Sequence, residues 1–447
     1  MSEKKYDVVV IGAGLLGIAT AYYVKKNNPE KTVLVIDKEA SAGAGNTAQS
    51  AGMYRDTFSS KVNLILSSTS RNFFRYVQNE LKIDLNLKDI TYLWLMDREQ
   101  FEENKKAIEV MLENKIRIEI LEKDDIEKKF PELVTNFDNN EDAQLLNLKN
   151  IDYALLGYDC GELDADKITR DFYEAEFKKL GGETMYSTRI KRFILDPKGE
   201  KLGIPGEPVG WQDKKISSAE TDKGEYIYAE TFIAATGAWA NEILLPIGID
   251  SRVMPLKKSL YRVQHTRLTE LLENEYFNEE KTIPFTIFPV HGIYIRPVKY
   301  NNSIWIGGGS VVGKPYVITD PENIDYSENP LDDNEADPRR YEYDLYLILS
   351  EYLPILKDLP LTNCWAGYYA VNTTDKNPVI FKPDGIDGLI VVTAASGSGI
   401  MKADAIGRIA EALYKGKEYA ELYGGVEFKV SRLGLKNRDV DKEYFVI

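Results

Sequence analysis

Asp7-Val-Val-Val-Ile-Gly12-Ala-Gly14-Leu15-Leu16-Gly17, together with the run 32–36 and the acid Asp37 that ends it, is the stretch that decides the fold. The β-branched run 7–11 suits a strand buried on both faces, residues 18–26 read as a helix, and 32–36 reads as a second strand. The opening is therefore a βαβ unit. Gly12 permits the tight turn after the strand, Gly14 lets the backbone approach a pyrophosphate at the helix N-terminus, and Gly17 lets helix and strand pack closely. Asp37 follows about 20 residues later, where an acid accepts ribose hydroxyls. A bare G-x-G-x-x-G says little, but a strand before it, a helix after it and an acid in register make it a dinucleotide fingerprint.

Further along, residues 42–55 are small, polar and glycine-rich, and can wrap a ligand with Thr47, Ser50 and backbone N–H groups as donors. Residues 59–81 and 99–114 read as amphipathic helices with a strand at 93–96 between them. A helix is expected over 164–180, a strand over 184–193, and an exposed hairpin or flexible insert over 196–224. The apolar run 231–235 leads into Thr236-Gly237-Ala238-Trp239, which fits the carboxyl end of a strand in the dinucleotide sheet. Alternating runs at 260–265, 292–297 and 303–308 suggest a second, largely antiparallel sheet. Residues 316–337 read as an acidic loop and 339–352 as a helix. A last buried strand at 388–393 ends in Ala394-Ala-Ser-Gly397-Ser-Gly399-Ile-Met-Lys402 and a helix to residue 415. Two glycine-rich strand-to-helix junctions at opposite ends of the chain suggest one cofactor held from both sides.

Composition removes other classes. The 447 residues carry 56 Lys plus Arg against 71 Asp plus Glu, a net charge of −15, with no basic block to attract nucleic acid. Only two His (His265, His291) and two Cys (Cys160, Cys364) are present, far apart and without C-x-x-C, so zinc fingers, H-E-x-x-H hydrolases and cysteine-ligated clusters are excluded and no metal site is expected. No G-x-S-x-G elbow accompanies the two His. Redox chemistry supplied by a bound cofactor fits this shortage of acid–base side chains. No apolar run reaches the ~20 residues that span a bilayer. The N-terminus runs into the first strand without a signal-peptide pattern, so a reducing cytoplasm is expected. Peripheral membrane association through a partner chain and homo-oligomer formation stay open.

These motifs resemble the flavoprotein family of D-amino acid oxidase, glycine oxidase, sarcosine oxidase and dimethylglycine dehydrogenase. The matching runs are 12–17 with Asp37, 45–55 with its S-A-G-x-x-R, Ala235-Thr236-Gly237-Ala-Trp239, Trp365-Ala-Gly367-Tyr-Tyr, 374–380, and 388–401. The resemblance implies an α/β chain, α+β overall: a Rossmann-like FAD-binding domain (1–85, 150–250, 360–425), an interleaved, largely antiparallel substrate domain (86–149, 251–359) and a C-terminal tail (426–447). It implies FAD with its adenosine near Asp37 and Lys38, its pyrophosphate at Gly12, Gly14, Leu15, Leu16 and Gly17, and its ring between Ser50, Ala51, Gly52, Met53 and Gly367. Asn46, Thr47, Arg189 and Ile190 join that wall, and Gly397, Ser398, Gly399, Ile400, Met401 and Lys402 support the pyrimidine end. Gly367 stands where some members carry a flavin-linked Cys, so FAD is expected to be non-covalent and Cys364 a buried structural thiol. Ser398 replaces the His of the family's S-G-H-G.

For the substrate, the resemblance places Tyr294 and Arg296 near a carboxylate, which an Arg can grip bidentately. Alternation puts Lys258, Arg262 and Gln264 on one face of their strand and Lys257, Tyr261, Val263 and His265 on the other. Lys258 and Arg55 are candidate anion binders, and Tyr368 is a candidate aromatic lid. The expected reaction is hydride removal from the carbon beside nitrogen in an amino acid or N-methylated glycine. CH–OH oxidation of glycerol 3-phosphate or a 2-hydroxy acid, and a non-catalytic flavin-binding assembly factor, are the alternatives. Oxygen, a quinone or a partner protein could each accept the electrons.

Overall fold

The computed structural model describes residues 5–308 and 335–445; most of the acidic loop expected at 316–337 lies outside them. The opening fingerprint forms Lys5–Ile11, the helix Leu15–Asn27 and Val33–Ile36, as read. The first strand sits at the centre of its sheet, and Val8, Val9 and Val10 are completely buried, which is why it carries no polar residue over that run. The sheet runs Val379–Phe381, Leu389–Thr393, Tyr226–Ala234, Lys5–Ile11, Val33–Ile36, Glu183–Met185. Along this path the pairings are parallel except the antiparallel edge formed by Val379–Phe381, and off it Lys214–Thr221 joins Tyr226–Ala234 and Ile190–Pro197 antiparallel. The helices Leu15–Asn27 and Ala403–Tyr414 pack on the same face, where Gly407 meets the Ala19 carbonyl. The carboxyl ends of the parallel strands open on the loops 12–14, 37–39, 235–239 and 394–399, the position at which such sheets take ligands.

The second sheet is ordered Leu361–Asn372, Val253–Gln264, Ser303–Gly307, Tyr294–Val298, Phe285–Ile287, Tyr92–Met96, Tyr153–Gly157, Ile118–Glu122. Its pairings are antiparallel except between Phe285–Ile287 and Tyr92–Met96. One face packs on a core that includes Tyr261, Val263, Ile293 and Ile295. The other carries Leu260, Phe285 and Tyr294 toward the dinucleotide sheet.

One local expectation is corrected. The strand read over 184–193 breaks into Glu183–Met185 and Ile190–Pro197. At the break, Ser187 adopts a positive φ, and Ser187 and Thr188 donate their N–H groups to the carbonyls of Glu39 and Asp37. Over 196–224, read as an exposed hairpin or flexible insert, Lys214–Thr221 forms an antiparallel hairpin with Ile190–Pro197 and also pairs with Tyr226–Ala234. The segment 438–445 does not trail away: Arg438 holds Asp375 and the carbonyls of Asn377 and Pro378, and Glu443 reaches the N-terminus of the helix Lys61–Asn79.

Candidate active site

One cavity runs from the fingerprint loop to the second sheet. At its first end the glycines leave no room for a side chain: a Cβ on Gly12, whose φ is +104°, would lie 2.5 Å from the Ala235 oxygen, and one on Gly17 would lie 1.9 Å from the Gly12 oxygen. Gly17 therefore seats the helix rather than lining the cavity, while Gly12, Gly14, Leu15 and Leu16 do line it. Asp37 accepts the N–H groups of Ala13 and Glu39, and burial raises its pKa against those bonds. Its carboxylate both braces the loop and faces the cavity. Thr47 accepts the Leu15 N–H at 3.1 Å, and Lys38 lies 4.1 Å from the centre of the Trp239 ring.

Asn46, Thr47, Ser50, Ala51 and Met53 form one side, and Ala235, Thr236, Gly237, Trp239, Arg189 and Ile190 another. Arg189 is paired with Glu242 at 3.1 Å. The two sheets are stitched here, because Tyr368 donates its N–H to Asn46 at 2.8 Å and Trp365 donates its indole N–H to the Gln49 carbonyl at 3.2 Å. Gly367, Gly397, Ser398, Gly399, Ile400 and Met401 complete the enclosure. A Cβ on Gly397 would fall 2.3 Å from the Tyr369 ring, so this junction must be glycine for that tyrosine to sit where it does. Thr236 Oγ1 and Trp239 Nε1, both buried on the cavity wall, have no hydrogen-bond partner among the described residues. Unpartnered buried donors are costly unless a ligand supplies acceptors. An extended polar ligand with phosphate, ribose and ring acceptors suits this wall.

The far end is aromatic. Tyr92 stacks on Phe285 with ring centres 4.4 Å apart, Phe285 stacks on Tyr294 at 4.9 Å, and Tyr369 closes the group. Lys258 extends into this end, with Nζ 5.8 Å from the Tyr369 ring centre and no hydrogen bond or ion pair to any described residue. Burial first, then the nearby Arg340 charge, lowers its pKa below the usual lysine range.

Several expected site residues are placed otherwise. Arg296 is not on the cavity wall: it is ion-paired with Glu162 at 2.8 Å, lies 4.3 Å from the Trp305 ring centre, and backs onto Gly52, which is also behind the wall. Gly52 takes φ +64° where its chain packs against the Leu163 carbonyl. Arg55 does reach the wall, but its guanidinium donates to the carbonyls of Thr57 and Phe445, and burial lowers its pKa. Tyr368 lines the cavity edge-on to Trp239 rather than lidding the Lys258 end. Lys402 is wholly buried behind Ser398 and Asn63 instead of facing the cavity. Cys364 is half-buried, with its thiol directed to the Ala336 carbonyl.

Tyr92, Phe285, Tyr369, Gln49, Glu443 and Phe445 are wall residues that sequence reading missed. Alternation held the signal for one of them: if Gly367 faces the ligand, Tyr369 shares its face and Tyr368 does not. Among the described residues no group of His, Cys, Asp and Glu is arranged to hold a metal, and no helix is long and apolar enough to cross a membrane.

The family model described as FAD dependent oxidoreductase matches residues 7–413. A Xenopus laevis protein called FAD-dependent oxidoreductase domain-containing protein 1 is 24% identical over 441 residues, covering 93% of this chain and 80% of that protein. L-saccharopine oxidase of Schizosaccharomyces pombe is 22% identical over 418 residues, covering 90% and 88%. Among solved structures, L-proline dehydrogenase from P. horikoshii superposes with a TM-score of 0.70 at 23% identity, covering 93% of this chain and 95% of that one. A fingerprint loop, a second glycine-rich junction and a match over nearly the whole length agree: the chain belongs to the FAD dependent oxidoreductase family and is an FAD-dependent oxidoreductase.

Proposed function

We propose that this enzyme oxidises a C–N bond in a small anionic, amino-acid-like molecule, with FAD bound non-covalently along the cavity. The observation that carries the reading is Lys258: a half-buried cation on the wall of an aromatic end, without a protein counter-charge among the described residues. Such a group binds and orients an anionic substrate group more strongly than an exposed lysine would, because water competes less. Tyr92, Phe285, Tyr294 and Tyr369 exclude water around the carbon to be oxidised. The names of the saccharopine and proline enzymes support a C–N substrate. When bound, FAD supplies the hydride acceptor. Gly12, Gly14 and the Leu15–Asn27 N-terminus would hold its pyrophosphate, Asp37 a ribose, and Thr236 and Trp239 its remaining acceptors.

The test is a visible spectrum of the purified protein, followed by anaerobic mixing with a panel of sarcosine, proline, other amino acids, 2-hydroxy acids and glycerol 3-phosphate. Flavin absorbance that bleaches with an amine supports the reading. A protein that takes up no FAD defeats it, and bleaching by a hydroxy compound alone moves the chemistry to CH–OH. Gly17→Ala should give a protein without bound flavin, because its methyl would overlap the Gly12 carbonyl; absorbance at the wild-type flavin-to-protein ratio would contradict this.

A further inference from the structure

Behind the cavity wall lies a polar cluster that binding alone does not require. Lys402 is completely buried, and its Nζ donates to Asn63 Oδ1 and to Ser398 Oγ, each at 2.6 Å. The Asn63 amide in turn donates to Glu443 Oε2 at 3.1 Å, and Glu443 also accepts the N–H groups of Ser59 and Ser60. Asn63, Ser398 and Glu443 line the cavity; Lys402 does not. Nζ therefore has two side-chain acceptors, enough for the two N–H groups of a neutral amine and one short for an ammonium. Burial brings its pKa down to about 7, opposed by Glu443 and reinforced by Arg55. Other groups around it are apolar or already committed. Phe58 lies 4.4 Å beneath Nζ, and Asp404 is held by Tyr23 and Arg408.

We propose that Lys402, joined through Asn63 to Glu443, is a positioning unit that takes up a proton when the cofactor in this cavity is reduced, and so makes the cofactor's reduction potential depend on pH. The inference rests on the reading of this cavity as the FAD site, with Asp37 at the ribose and the cluster toward the opposite, aromatic end. Two-electron reduction, with electrons from the substrate C–N bond or from a reducing dye, leaves bound FAD more negative by one charge. A solvent proton then binds Lys402 Nζ and compensates it across Ser398 and Asn63.

The midpoint potential of the FAD-loaded enzyme, titrated with a mediator dye from pH 6 to 9, tests this. In the wild type, the equilibrium constant for reduction should fall by an extra tenfold per pH unit above about pH 7, which is 29.6 mV for a two-electron couple. Lys402→Met should lose that segment and have a lower potential at pH 6. Lys402→Arg, charged throughout, should lose the segment yet keep the higher potential. Equal slopes in wild type and Lys402→Met overturn the inference. If Lys402→Met does not hold FAD, an extra segment persisting in Lys402→Arg overturns it equally. A wild type without FAD sinks the functional reading and this inference together, whereas bound FAD with a featureless slope sinks only the inference.

Discussion

Lys258→Met should raise the Michaelis constant for the anionic substrate by about 10- to 100-fold, the loss of one charge-assisted bond worth roughly 1.5–3 kcal/mol. The fold should survive, because methionine matches the stem of the lysine and removes a cation that burial disfavours. The pH dependence provides a second check. Burial and Arg340 lower the Lys258 pKa, so the ammonium is lost at a pH below the usual lysine range. The wild-type Michaelis constant should then climb as pH rises through that lowered pKa, while the variant's should stay level. Steady-state kinetics with the substrate that bleaches the flavin, measured across pH 6 to 10, decides it. A constant within about twofold of wild type in Lys258→Met would place the anion elsewhere in the cavity.

What the sequence revealed of this site follows a physical division. Gly12, Gly14, Gly17 and Asp37 were legible because a tight turn, a helix N-terminus and a ribose acceptor each demand a residue type at a set spacing. The junction at Gly397–Gly399 was legible for the same reason. Lys258 stood out in a cationic run whose face alternation assigns, and Tyr294 was placed by the family resemblance. Arg296 also lies on such a strand, yet nothing in the local pattern announces Glu162, which pairs with it from a distant segment at the Met53–Tyr54 ladder. Lys402 was drawn to the cavity by its neighbours Ile400 and Met401, whereas Asn63 and Ser398 hold it on the far side of the wall. Glu443 and Phe445 come from a segment whose composition reads as a tail and whose place is set by Arg438, Asp375 and the open N-terminus of the helix Lys61–Asn79. Long-range charge pairing and chain return were the parts that no window of sequence carries.

Arg296→Leu separates these two readings most sharply. If Arg296 gripped the substrate carboxylate, its loss would weaken binding and leave stability nearly unchanged. With its guanidinium on Glu162, and with both side chains about nine-tenths buried, its loss instead leaves that carboxylate in a low-dielectric setting with only the more exposed Lys88 ammonium, 4.0 Å away. Breaking a buried pair in this way costs roughly 3–5 kcal/mol. The variant should accordingly unfold at much lower denaturant concentration. It should also release FAD more readily, because Glu162 belongs to the strand paired with Met53 beside the cavity. Arg296→Leu combined with Glu162→Gln should recover most of the stability, since no charge is then left alone. Denaturant midpoints of the three FAD-loaded proteins, read beside the Michaelis constant of any that retains flavin, give the answer. A tenfold or larger rise in that constant with an unchanged midpoint would mean that Arg296 leaves Glu162 to meet the substrate, and the anion site would then belong to Arg296 rather than to Lys258.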